Sequence, residues 1–345
     1  MIDLAPHAKA IETIDALMHA WVKSGGDDKG AKKAVEEFTA TDDWYAIPYQ
    51  HRNLYFVTAS KLRSYQFLPA EAYKRYIECI DLPWLDKDYF IIGRAFDDRI
   101  TKGEAWYADH YVCVNTRVDD VAGRITELEA QLLEYQNDLK KDGTRSQTGI
   151  KGEMSTLERM GAMRNLLGKK QLTQAQWKQV HNMTEEYRKH TMFPQEPKKL
   201  NMIWLAFGKV PCKGELDHWD AETPRIWDIK TTAQLTNFNP RQYLLQMGFY
   251  FMGIQEELML RPDAALAVVD KGADFSRGCP FGFKVEDLIG MQHTINDLIT
   301  RWCDSMQTQS WPDAGANELS ALKVYWDSDY YPLLENSRPT QLIYV

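Results

Sequence analysis

The fold is decided by residues 213–250, which read KGELDHWDAETPRIWDIKTTAQLTNFNPRQYLLQMGFY. Polar and apolar side chains alternate on both sides of residues 220–224, whose composition is typical of a turn. We therefore expect two strands joined as a hairpin. Side chains two positions apart share one face of a strand, so Asp228 and Lys230 lie on the same face. The hairpin would bring Asp217, Asp228 and Lys230 together at one edge.

Two carboxylates beside a lysine suit metal-dependent hydrolysis of a phosphodiester, because Mg²⁺ often binds one or two carboxylates together with water and substrate phosphate. Asp217 and Asp228 can supply the carboxylates, and the backbone carbonyl of Ile229 can add a third oxygen. Lys230 can orient the attacking water or stabilise charge that develops on the phosphate. Glu215 shares the predicted face of Asp217 and would join the site or lie at its solvated rim. A surface hairpin with an ordinary ion pair is the alternative.

A helix is predicted directly after this hairpin, since Asn239 and Pro240 form a typical helix start. Tyr243, Gln246 and Tyr250 follow at spacings of three and four, which places them on one face of that helix. Such side chains can bind phosphate oxygens and stack on bases. A half-buried aromatic helix without a binding role is the alternative.

The whole chain has 345 residues, with 44% hydrophobic and 26% charged residues, which is the balance of an ordinary globular protein. Apolar spacing predicts helices over 1–40 and 89–101. Apolar residues at heptad spacing over 118–139, followed by a helical stretch at 157–167, predict a helical hairpin or arm. Packing of these helices against the main body is the alternative. The polar, glycine-rich segment 140–152 between them predicts a loop.

The sequence lacks the motifs that are typical of several enzyme classes. The chain has no G-x-x-x-x-G-K-[ST], G-x-G-x-x-G, H-E-x-x-H or G-x-S-x-G motif, which lowers support for nucleotide hydrolysis, dinucleotide redox chemistry, zinc proteolysis and serine hydrolysis. No apolar run reaches the roughly 18 residues of a membrane-spanning helix. The start MIDLAPHAKA is unlike a signal peptide, and five scattered cysteines indicate reduced thiols. We therefore expect a cytoplasmic protein with no membrane partner.

Charge is distributed unevenly along the chain. The net charge is −8, yet residues 140–199 carry 13 Lys and Arg against 6 Asp and Glu. This basic middle could contact DNA or another subunit, and ordinary solvated helix faces are the alternative.

Three motifs in this order resemble the PD-(D/E)XK nuclease superfamily, in the branch that contains RecB-like nucleases, lambda exonuclease and exonuclease VIII. KGELD resembles the second motif of that branch, with Asp217 as metal ligand. WDIKTT resembles the third motif, with Asp228 as ligand and Lys230 as catalytic lysine. QMGFY is similar to the Q-x-x-x-Y motif of the branch, with its polar residues at Gln246 and Tyr250.

The first motif of the branch is usually a helix with G-x-x-x-H, and here GRAFD has Asp97 at the histidine position. The resemblance implies that Asp97 completes a site for Mg²⁺ or Mn²⁺, and that Gln246, Tyr250 and Tyr243 position DNA. It implies no iron–sulfur cluster, because the members with clusters need four cysteines flanking the core.

The fold implied by the resemblance is α/β (α+β), a restriction-endonuclease-like core with a central mixed β-sheet flanked by helices. A helical N-terminal region would occupy residues 1–57. The nuclease domain would span 58–312, with a helical arm inserted at about 118–170, and residues 313–345 would form a C-terminal tail.

The implied function is a metal-dependent DNA exonuclease that resects duplex ends for phage or prophage recombination, in the cytoplasm of a bacterial host. Its partners would be DNA, a second copy of the chain and a recombination protein such as a single-strand annealing protein. A non-catalytic DNA-binding or assembly protein on a nuclease fold is one alternative. A structure-specific endonuclease, or a nuclease acting on RNA, is another.

Overall fold

The computed structural model describes residues 5–47, 52, 54–76, 88–118, 120–138, 144, 146–272, 276–308, 311 and 343–344. These residues form two compact units. The first unit contains Met1–Lys87, Arg188–Asp270 and Arg277–Val345, and the second contains Asp88–Tyr187 and Lys271–Ser276. Apart from 343–344, the predicted tail 313–345 lies outside the described residues, and the domain limits given above stay predictions.

Both units contain helices and strands, which confirms a mixed α/β fold. The helices are α1 (Ala8–Lys23), α2 (Lys29–Phe38), α3 (Asp42–Ala46), α4 (Ala59–Phe67), α5 (Pro69–Tyr76), α6 (Asp88–His110), α7 (Val121–Gln136), α8 (Gln147–Leu166), α9 (Gln174–Lys189), α10 (Leu244–Leu258) and α11 (Val285–Thr308). The strands are β1 (Tyr111–Val114), β2 (Lys170–Thr173), β3 (Leu200–Ala206), β4 (Val210–Leu216), β5 (His218–Asp220), β6 (Arg225–Thr232), β7 (Asp263–Asp270), β8 (Gly278–Phe283) and β9 (Ile343–Tyr344). Within the part of the chain that is described, no helix is long and apolar enough to cross a bilayer.

The larger sheet of the first unit has the strand order β5-β6-β7-β8-β9 and is mixed, as predicted. Strand β6 runs parallel to β7 and β8 runs parallel to β9, whereas β5–β6 and β7–β8 are antiparallel. The central strand β7 is buried along residues 264–269, where its sequence is a continuous apolar run. The smaller sheet of this unit pairs β3 with β4 in antiparallel register.

Helix α10 lies in the core of the first unit, and almost all of residues 245–254 are buried. Gly253 allows this helix to approach β3 closely, because a Cβ there would lie 2.9 Å from the Trp204 ring. The helix is therefore held against the small sheet along one side. This packing fixes the positions of the polar residues Gln246 and Tyr250, which lie in the first half of the helix.

A second buried cluster confirms the predicted helical region at the N-terminus. Ile14 and Trp21 of α1, Val35 of α2 and Trp44 of α3 pack together with Ile203 of β3. The three short helices thus bury their apolar faces against the smaller sheet.

The second unit contains the predicted helical hairpin, in which α7 packs against α8. The predicted loop over 140–152 is wrong in its second half, because α8 begins at Gln147. Packing explains the glycines there: a Cβ at Gly152 would lie 2.5 Å from the ring of Tyr135. Helix α6 is interrupted at Gly103, whose φ of 87° lies in the left-handed region that favours glycine.

Candidate active site

Asp217 lies where the chain leaves the small sheet and enters the large one. Strand β4 ends at Leu216 and β5 begins at His218. Asp217 Oδ2 accepts a hydrogen bond of 2.7 Å from the backbone N–H of Ile229. This N–H is available because the pairing of β5 with β6 ends at Trp227. The N–H and carbonyl of one strand residue point to the same side, so the Ile229 carbonyl faces the same edge as Asp217.

Asp228 lies on β6 and is only 1% exposed. Its Oδ1 accepts a hydrogen bond of 3.0 Å from Gln246 Nε2, and its Oδ2 lies 2.5 Å from Lys230 Nζ. Lys230 therefore donates a charge-assisted hydrogen bond to Oδ2, so both oxygens of Asp228 have a donor. The structure therefore brings together Asp217, Asp228 and Lys230, with Gln246 behind them.

The electrostatics of this edge favour bound cations. Burial and the neighbouring Asp228 raise the pKa of Asp217 to about 7, against the opposing effects of Lys230 and the Ile229 N–H. Burial alone would lower the pKa of Lys230, but Asp228 and Asp217 outweigh it and raise that pKa above its usual value. The two carboxylates therefore favour the charged form of Lys230.

Gln246 and Tyr250 form one hydrogen-bonded chain behind Asp228. Gln246 Nε2 also donates to the Tyr250 hydroxyl at 2.9 Å, and the Tyr250 side chain is buried in the core. Its ring lies against Gly214 of β4, where a Cβ would come within 3.2 Å of Tyr250 Cδ1. The two side chains hold Asp228 in place, and their predicted contact with DNA stays a prediction.

Tyr243 lies in the 3₁₀ segment Pro240–Tyr243, so the α-helix begins about one turn later than predicted. The 3₁₀ turn arises because Asn239 and Pro240 start the segment, and the α-helix begins only at Leu244. Lys230 Nζ lies 5.3 Å from the centre of the Tyr243 ring, so Tyr243 borders the same edge.

Sequence reasoning missed Arg63, which belongs to α4. Its Cζ lies 5.5 Å from the centre of the same Tyr243 ring. Residue spacing does not predict this contact, since 180 residues separate Arg63 from Tyr243.

Asp97 lies in α6 of the second unit, before the interruption of that helix, and is half-buried. Thr101 Oγ1 donates a hydrogen bond of 2.7 Å to its backbone carbonyl. Asp97 as a metal ligand stays a prediction. Glu215 is exposed and pairs with Lys199 at 3.1 Å, which places it at the solvated rim.

The donors around Asp228 fit a hard divalent cation. Two carboxylates and the Ile229 carbonyl face one edge, and the neighbouring Asp228 helps to raise the pKa of Asp217. Mg²⁺ accepts such a sparse set, because it keeps several waters. Over the described ranges, no group of three or more His, Cys, Asp or Glu side chains is placed to hold a metal. The remaining oxygens would have to come from the backbone, water and substrate.

No family model matches the chain, and no curated protein matches it. Among solved structures, it is similar to a "putative exonuclease" from Eubacterium rectale, at 12% sequence identity and a TM-score of 0.44, over 85% of this chain and 95% of that chain. A likeness this distant carries no argument about activity.

Proposed function

We propose that this protein is a metal-dependent nuclease that hydrolyses phosphodiester bonds in DNA. The observation that carries the proposal is the pair of carboxylates, Asp217 and Asp228, held at one sheet edge beside the protonated Lys230. Two like charges at a buried edge oppose folding unless something compensates them. A site that retains such a pair is a candidate for function, because the arrangement suits binding better than stability.

Mg²⁺ or Mn²⁺ would be held by Asp217, Asp228 and the carbonyl of Ile229. When bound, it would neutralise phosphate charge and lower the pKa of a coordinated water.

The chain's own residues have separate tasks at this edge. The Ile229 N–H orients the carboxylate of Asp217, and Gln246 orients that of Asp228. Lys230 keeps its proton and stabilises negative charge that develops on the phosphate. The Tyr243 ring, beside Lys230, would border the bound strand.

We further propose that cleavage is exonucleolytic and starts at duplex ends, and that the protein serves phage or prophage recombination with an annealing partner or as a homo-oligomer. These finer points rest on the motif resemblance at Asp217, Asp228, Lys230, Gln246 and Tyr250.

The test compares end-labelled linear duplex DNA with covalently closed circular DNA, each incubated with Mg²⁺, Mn²⁺ or EDTA. We expect the linear DNA alone to be degraded, and EDTA to abolish the reaction. Nicking of the circular DNA would contradict the exonuclease assignment and would indicate a structure-specific endonuclease instead. Binding of either DNA without any cleavage would overturn the proposal in favour of a non-catalytic DNA-binding protein. A parallel RNA duplex tests whether the substrate is DNA.

A further inference from the structure

We propose that Arg63 and the Tyr243 hydroxyl together bind a backbone phosphate of the substrate beside Lys230. The inference rests on the proposed function and extends its site to a residue of α4. The substrate would then be a polyanionic strand, and the protein would contact at least one phosphate besides the one that is cleaved.

The first support is that Arg63 is held in position by its own helix. Thr58 caps α4 by accepting a hydrogen bond from the Lys61 N–H. Leu62 and Tyr65, on either side of Arg63, are buried in the core, and the Tyr65 hydroxyl is hydrogen-bonded to Ser305 at 2.8 Å. The base of the Arg63 side chain is therefore fixed. The side chain as a whole is half-buried, so part of it remains accessible to a ligand.

The second support is that both groups lack partners for their strong donors. No carboxylate among the described residues lies within ion-pair distance of Arg63, and the Tyr243 hydroxyl makes no hydrogen bond with those residues. Lys230, in contrast, is already paired with Asp228. A guanidinium has five N–H donors in a planar fork that matches the oxygens of a phosphate.

The third support is a comparison with Arg301, which stacks on Tyr65 in the same unit. Its Cζ lies 5.8 Å from the Tyr65 ring centre, and its Nη1 lies 3.7 Å from Asp297. This arginine has the same stacking and also a carboxylate partner. Stacking alone contributes only about 0.5–1 kcal/mol at exposed sites, so it orients Arg63 but leaves its charge uncompensated. A phosphate would supply the acceptor that Asp297 supplies to Arg301.

The contact should act on binding more than on turnover. Arg63 lies over the Tyr243 ring, whereas the bond-breaking groups are Asp217, Asp228 and Lys230. A phosphate held by Arg63 would therefore neighbour the cleaved one and set the register of the strand, as phosphate contacts generally do.

The experiment uses the full chain with Arg63→Gln and Arg63→Lys, and Arg301→Gln as the matched control. Binding of labelled duplex and single-stranded oligonucleotides is measured in EDTA at several salt concentrations, and cleavage is measured in Mg²⁺. For Arg63→Gln we expect Kd and KM to rise about tenfold, with kcat within about threefold. The slope of log Kd against log salt should fall by about one phosphate contact. Arg63→Lys should restore the slope but only part of the affinity.

The outcomes separate the two proposals. Wild-type affinity and slope in Arg63→Gln would overturn the phosphate contact, whether or not the protein cleaves DNA. Equal losses in Arg63→Gln and Arg301→Gln would overturn it as well, because they would reveal a structural role for stacking. Absence of cleavage by the wild type in both metals would overturn the nuclease, and the binding slopes would still decide the role of Arg63.

Discussion

Asp98 in the second unit and Asp228 in the first are both buried and both contact lysine, but their surroundings differ. Asp98 accepts a hydrogen bond of 2.6 Å from Tyr111, and it pairs with Lys102 at 2.8 Å and Lys170 at 3.3 Å. Burial alone would raise the pKa of Asp98, but these donors outweigh it and lower that pKa below its usual value. This carboxylate is saturated and has no need of a ligand.

The edge around Asp228 is the reverse case. Two carboxylates lie near one lysine, which pairs with Asp228, and the pKa of Asp217 is raised. Similar residue types thus give a stabilising cluster in one unit and an electrostatically costly edge in the other. The difference is the number of donors per carboxylate, and it predicts opposite responses to substitution.

The largest effect is expected for Asp228→Asn. The substitution removes one carboxylate from the proposed metal donors, so cleavage of linear DNA should fall at least about a thousandfold. The unfolding temperature should change little, because the lost ion pair with Lys230 is offset by the lost repulsion between Asp228 and Asp217, and an asparagine oxygen can still accept the Gln246 bond. Glu215→Gln, at an exposed carboxylate on β4, is the control and should keep activity. Cleavage by Asp228→Asn within tenfold of the wild type would remove Asp228 from the site.

Asp98→Asn should show the opposite pattern. It leaves Lys102 and Lys170 without their shared carboxylate and should lower the free energy of unfolding by about 2–3 kcal/mol. Removing one partner of a buried ion pair usually costs about 3–5 kcal/mol. The expected loss is smaller here because both lysines are partly exposed to water. Denaturant unfolding measures the loss, and cleavage per folded molecule should stay at the wild-type level. Unchanged stability with lost cleavage would reverse the roles assigned to Asp98 and Asp228.

Asp217, the other carboxylate of this edge, should differ from Asp98 in the sign of its effect on stability as pH changes. The pKa of Asp217 is higher in the folded than in the unfolded chain, so the folded state binds more protons between pH about 4 and 7. Stability without metal should therefore fall as pH rises through that range. Asp98 has a lowered pKa, and its stabilisation should be present above pH about 4 and be lost as pH falls.

Asp217→Asn tests this sign directly. In EDTA, the wild type should lose about 2 kcal/mol of unfolding free energy relative to the variant between about pH 5 and pH 8. Mg²⁺ should restore the wild type at the higher pH and leave the variant unchanged. A difference that does not vary with pH would mean that Asp217 ionises normally.

Much of this edge could be predicted from local pattern. The alternation in β6 puts Asp228 and Lys230 on one face, and the structure shows them in contact. The same rule fails at the end of β4, where it groups Glu215 with Asp217. Glu215 is exposed and Asp217 turns toward β6, because β4 ends at Leu216 and the chain changes sheets there.

Other features depend on contacts that no local pattern contains. The glycines of α8 predict a loop by composition, yet Gly152 lies in a helix because the Tyr135 ring packs against it. The place of Arg63 over Tyr243 depends on how α4 meets the start of α10, and this is a property of tertiary packing alone.

The smallest effect distinguishes two roles for Gln246. Its amide donates to Asp228 and to Tyr250, so Gln246→Ala should lower kcat about tenfold, through a less well oriented Asp228, and leave KM nearly unchanged. A residue that mainly grips DNA would instead raise KM. Tyr250→Phe is the matched control, because it removes only the hydroxyl and keeps the Gln246–Asp228 bond; its kcat should fall less than about threefold. A larger loss in Tyr250→Phe than in Gln246→Ala would mean that the tyrosine hydroxyl acts on the substrate itself.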